Sequence, residues 1–180
     1  MRLRKINACL SLLTSILFLD HAIFLSIWML SRCSIQNTAD NMPFVLLTVA
    51  AIHAGISILL AFLGHKGAEK RKCKSYSKLN IPTNIQRMTG ILMILLIGLH
   101  LAGAANYYQP KMLHAIVHPL FFALALAHIS VSVSKALITL GIGNAKVVKI
   151  VDVVMKVLCG VIFIAAVVGF YLCLFVGVVK

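Results

Sequence analysis

Acidic side chains are nearly missing from this sequence: Asp20, Asp40, Glu69 and Asp152 are the only four in 180 residues, set against 17 Lys and Arg. Charged residues make up 12%, where a soluble domain carries about 25%. No polar stretch is long enough to build a separate soluble domain, so a soluble globular protein is excluded. The five cysteines form no C-x-x-C pair, which excludes a zinc ribbon and thioether haem attachment through C-x-x-C-H. Cys9, Cys159 and Cys173 lie in or beside apolar runs and read as small hydrophobes. The net charge of +13 invites a nucleic-acid reading, but no basic stripe interleaved with aromatics is present to carry one.

What the sequence has in quantity is apolar run. Hydrophobic residues make up 61% and are gathered into five stretches, at about residues 8–30, 43–64, 88–108, 112–140 and 150–178. Each holds about 20 residues or more, enough to cross a hydrocarbon core of roughly 30 Å at about 1.5 Å per residue. The expected fold class is therefore all-α, one integral membrane bundle of five transmembrane helices. The N-terminal "MRLRKINACLSLLTSILFLDHAIF" has the basic start of a signal peptide, but it lacks a small-x-small cleavage site and is long enough to span. It is read as a helix. Lys and Arg crowd the N-terminus (Arg2, Arg4, Lys5), the second connection (Lys66 to Arg87) and the fourth (Lys146, Lys149), whereas the first has Arg32 and the third Lys111. The positive-inside bias then puts the N-terminus in the cytoplasm and the C-terminus outside. Trp28, Tyr107 and Tyr108 read as members of the interfacial aromatic belt.

Seven histidines are present, and four lie well inside consecutive spans: His21, His53, His100 and His128. A single intramembrane histidine serves as readily in packing as in function. Polar groups in spans cost a few kcal/mol unless satisfied, so one on each of four spans marks a functional set. Four is also the number that ligates two b-type haems with two histidines each. Depth pairs them. His100 lies about 18 Å past Met88 and His21 about 20 Å past Ala8. His53 and His128 lie nearer the cytoplasmic side. First with third and second with fourth gives an outer and an inner haem. Small residues flank three of the four: Gly103 and Ala104 near His100, Ala50 and Ser57 near His53, Ala125 and Ser132 near His128. They either leave room for a porphyrin or mediate helix packing. On this reading the Gln86–Arg87 pair marks the cytoplasmic boundary and fixes the depth of His100.

The segments around these histidines resemble a known family. "QRMTGILMILLIGLH" is similar to the Q-R-x-[TS]-G…H segment of the cytochrome b membrane subunit of succinate dehydrogenase and fumarate reductase. "IHAGISILLAF", "AHISVSVSKALITLGI" and "FLDHAIF" resemble the second-, fourth- and first-span ligand segments of the five-helix, di-haem form, and "ADNMPF" its first outer loop. The resemblance implies two haem b, with His21 and His100 on the outer iron and His53 and His128 on the inner one. It implies menaquinone as the membrane substrate, and two partner subunits: an iron–sulfur protein and a flavoprotein with covalently bound FAD, where the dicarboxylate chemistry takes place. It places the chain in a bacterial cytoplasmic membrane, in contact with lipid. The chain departs from the family at Asp20, an acid directly before the first ligand, and at Leu126, where some members carry a proton-transferring glutamate; its outer loops are also short.

Other candidates complete the set. Asp40, Asp20, His114 and His118 are candidates for proton exchange with quinone, with Asp40 alternatively a loop acid that caps the second span. Arg87 either pairs with a haem propionate or anchors the third span at the interface. His65 reads as solvated. Two further classes stay open: a b-type anchor of a hydrogenase or formate dehydrogenase, and a small haem-free transporter.

Overall fold

The structure, a computed structural model, describes residues 2–31, 42–68, 81–104 and 111–176. All but the turn at 141–144 are helical: α1 (Arg2–Ser31), α2 (Met42–Ala68), α3 (Ile81–Ala104), α4 (Lys111–Leu140) and α5 (Ala145–Val176). Asp40, Tyr107 and Tyr108 lie outside the described residues, as do the side chains of Trp28, His65 and His114.

The protein is an all-helical, multi-pass membrane protein. Among the described residues, four stretches are long and apolar enough to cross a membrane: Arg2–Ile27, Pro43–Leu63, Ala115–Leu140 and Ala145–Leu172. Within the described part of the expected third span, the apolar stretch is Ile85–Leu101, shorter than the others. Helix extends beyond the expected spans: α1 includes Arg2, ahead of residue 8, and α3 includes Ile81, ahead of residue 88. Helical backbone continues through charged ends because long cationic side chains snorkel to water. Pro43 and Pro82 each sit in a first turn, where a missing N–H removes no helical bond.

α1, α4 and α5 pack on one another, while α2 packs extensively only on α1, and α3 only on α4. The core of this arrangement is Phe18, Ala22, Phe121, Phe122, Ala125, Leu126, Ile129, Cys159, Ile162 and Ala166. Small residues bring backbones close, as membrane packing requires. A Cβ on Gly169 of α5 would stand 3.0 Å from the Met29 Cβ of α1. Large apolar side chains instead point outward, among them Phe44, Phe62 and Leu95, each about two-thirds exposed or more. In lipid such a surface is the solvated one.

The "GIGNAK" break expected after the fourth span is a Schellman turn. Gly141 takes φ 76°, Ile142 N–H donates to the Leu137 carbonyl at 2.9 Å, and Gly141 N–H to that of Ile138 at 3.1 Å. Asn144 then caps α5, its Oδ1 accepting from Val147 N–H at 3.0 Å.

The contacts fix direction. Gln86 meets Ser132 and Lys135, Thr89 meets His128, and His100 meets His118 and Phe121, so α3 and α4 are antiparallel. Ser134 meets Asp152 and His118 meets Phe170, so α4 and α5 are antiparallel too. Phe18 of α1 lies at the level of Phe121 and Phe122, and Ser26 and Met29 at that of Gly169. α1 therefore also opposes α4. Arg2, Arg4, Lys5, Arg87, Lys135, Lys146 and Lys149 consequently share one end of the bundle, called here the basic end.

A candidate cofactor site in two histidine layers

The five described intramembrane histidines fall into two layers. Near the basic end are His53 and His128. His128, on α4, is half-buried and its Nδ1 lies 3.1 Å from the Thr89 hydroxyl of α3. Gly90 permits this approach: a Cβ there would stand 3.3 Å from the His128 Cε1. One turn along α4, Gln86 Nε2 donates to the fully buried Ser132 Oγ at 2.8 Å, and Lys135 Nζ donates to Gln86 Oε1 at 3.1 Å. His53, on α2, lies one turn from Ser57, at the same end of the bundle. Beside it, Asn7 and Ser57 exchange hydrogen bonds at 3.1 and 3.3 Å, pinning α2 to α1.

The second layer lies about 15 Å away, the rise over the ten residues from His128 back to His118. The His118 ring is buried, stacks on Phe170 at 4.5 Å between centroids and lies 5.0 Å from the His100 ring. His100 in turn stacks on Phe121 at 4.8 Å. His21 of α1 is half-buried. It sits between Phe18, at the level of Phe121, and Ser26, at the level of Gly169, and so belongs to the same layer.

Whether these residues fit a haem divides by layer. At the basic end they fit. The buried Nδ1 of His53 has no hydrogen-bond partner, a state that costs about 1–3 kcal/mol for a buried polar group. His128 meanwhile has one ring nitrogen fixed by Thr89, the arrangement found around metal-ligating imidazoles. In the second layer, three imidazoles rather than two share the level, and His100 is stacked against α4. Ligation there requires its ring to turn out of the stack. Among the described residues no three His, Cys, Asp or Glu side chains cluster to hold a bare metal ion; a haem held by two imidazoles would not need such a cluster.

Several sequence readings change in this light. Gln86 does not act merely as a depth marker for His100: with Thr89 and Gly90 it forms the α3 surface that clasps Ser132, Lys135 and His128. Arg87 is exposed and close to Lys135. Ala125 and Ser132 are buried between helices, so in this arrangement they serve packing. Asp20 is half-buried beside His21.

Pro119 went unread in the sequence. It lies inside α4 and lacks the N–H that would bond the Ala115 carbonyl. Tyr171 of α5 donates to that carbonyl at 3.0 Å. The signal was present in "VHPLFF", where a helical proline frees the carbonyl four residues back; the partner, 56 residues on, was not readable.

Compared with known proteins, the chain matches no protein family, no curated protein and no solved structure.

Proposed function

We propose that the protein is a di-haem cytochrome b that anchors a succinate dehydrogenase- or fumarate reductase-like complex and passes electrons between membrane quinone and partner subunits. The observation that carries this reading is the pair of histidine layers about 15 Å apart, to which α1 contributes His21, α2 His53, α3 His100, and α4 both His118 and His128. His53 and His128 would hold the haem nearer the basic end. His21 and His100 would hold the other, with the His100 ring turned out of its stack on Phe121. Bound haem would supply reversible one-electron chemistry. The chain's own part is to present neutral imidazoles, to exclude water with Phe121, Phe122 and Phe170, and to fix ring orientation through Thr89. His118, buried between His100 and Phe170, together with Asp20, His114 and Asp40, belongs to the candidate set for proton exchange with menaquinone. Arg87 stands beside the basic-end site as a partner for a propionate.

The rest of the reading follows from the resemblance. α3 completes a fifth span, and the basic end faces the cytoplasm of a bacterial cell. An iron–sulfur subunit docks there and connects to an FAD-bearing flavoprotein. The test is alanine replacement of each histidine in turn, with haem content measured on purified protein. His53→Ala and His128→Ala are expected to lose the same haem, and His21→Ala and His100→Ala the other. A variant set in which none of the four changes haem content removes them as ligands.

A further inference from the structure

Thr89 is 8% exposed, and its one hydroxyl proton has a destination: Oγ1 donates to the Ile85 carbonyl at 2.8 Å, with the Gln86 carbonyl at 3.2 Å. Nδ1 of His128 lies 3.1 Å from the same oxygen. A hydroxyl has a single proton and two lone pairs. With its proton directed back along α3, the oxygen accepts from His128. The ring is therefore protonated at Nδ1, and the lone pair resides on Nε2. The position of the ring is held by α3 as well: its Cε1, the carbon between the two nitrogens, is seated where Gly90 has no side chain.

We infer that Thr89 is the positioning residue that selects the Nδ1–H tautomer of His128 and so leaves Nε2 as its metal-ligating nitrogen. The inference rests on the cytochrome reading above for its purpose, but its tautomer part stands on the α3–α4 geometry alone. Groups beyond the direct ligands tune metal sites in this way, and removing one weakens metal binding roughly 10–100-fold.

The experiment has two arms. In the first, nitrogen-15 NMR of histidine-labelled, haem-free full-length protein in detergent identifies the His128 signal by its loss in His128→Ala. The wild type is expected to show protonated Nδ1 and bare Nε2. Thr89→Val, similar in shape but without the hydroxyl, is expected to give a mixture of tautomers, and Thr89→Ser to retain the wild-type signal. In the second arm, haem titration of the same proteins is expected to show binding at the basic-end site weakened roughly 10–100-fold in Thr89→Val and restored in Thr89→Ser. A wild-type Nε2–H tautomer, or one that Thr89→Val leaves unchanged, overturns the inference whatever the haem content. A tautomer switch in a chain that takes up no haem overturns the ligand role of Nε2 and the cytochrome reading with it. The two failures are thus distinguishable.

Discussion

At the residue scale, each polar group placed in an apolar helix has to find a partner within the protein, because lipid offers none. Hydroxyls do so locally: Thr14, Ser15 and Ser26 donate to carbonyls one turn back at 2.6–2.8 Å. Pro119 poses the reverse problem, a carbonyl stripped of its donor, and Tyr171 answers it from another helix. Tyr171→Phe is therefore expected to cost about 0.6 kcal/mol and at most ~1.7, the range for hydrogen bonds between membrane helices. In a Pro119→Ala background, where α4 regains its own donor, the same change should cost close to nothing. Unfolding of the four proteins in mixed detergent measures the coupling; equal costs in both backgrounds would mean that Tyr171 does not serve the freed carbonyl.

Interhelical contacts explain why the elements sit where they do, and they were the least legible part of the sequence. Spans, breaks and the glycine-asparagine turn could be read from apolar runs and turn chemistry, since these are local properties. The role of the Gln86–Gly90 stretch was not local. Its spacing points to one face of α3, but which histidine that face meets depends on the register of α3 against α4, which no single-helix pattern encodes. The same holds for Gly169, one of 11 glycines, marked only by the close approach of α1. Gly169→Leu is expected to destabilise the α1–α5 contact by about 1–3 kcal/mol, as overpacking does. Gly160→Ala, with nothing within 4 Å of the added carbon, should be neutral. Equal effects in a thermal-stability assay would put the close approach elsewhere. At the turn, Gly141→Val forces a branched side chain into φ 76° and is expected to cost about 1–2 kcal/mol by the same assay.

Over the whole molecule, two gradients run along the bundle. Positive charge collects at one end, and the histidines divide into a layer near that end and a layer beyond it. The first gradient was plain in the sequence, because Lys and Arg cluster in particular connections. The second was half visible: depth counting paired His53 with His128 and set His21 level with His100. It missed that His118 joins them through the aromatic stack. The loose cover of α2, in which no residue from Pro43 to Leu63 is buried, leaves His53 on a helix held mainly by α1. The position of the basic end predicts that a reporter fused ahead of Arg2 is active in the cytoplasm. Activity only on the far side would reverse the orientation.

Haem binding is tested most directly by the reduced-minus-oxidised optical spectrum of the purified chain from haem-replete cells, with haem quantified against protein. The bands of bis-histidine b-type haem are expected, at two haems per chain. A colourless preparation, with the protein folded and in the membrane, would contradict it.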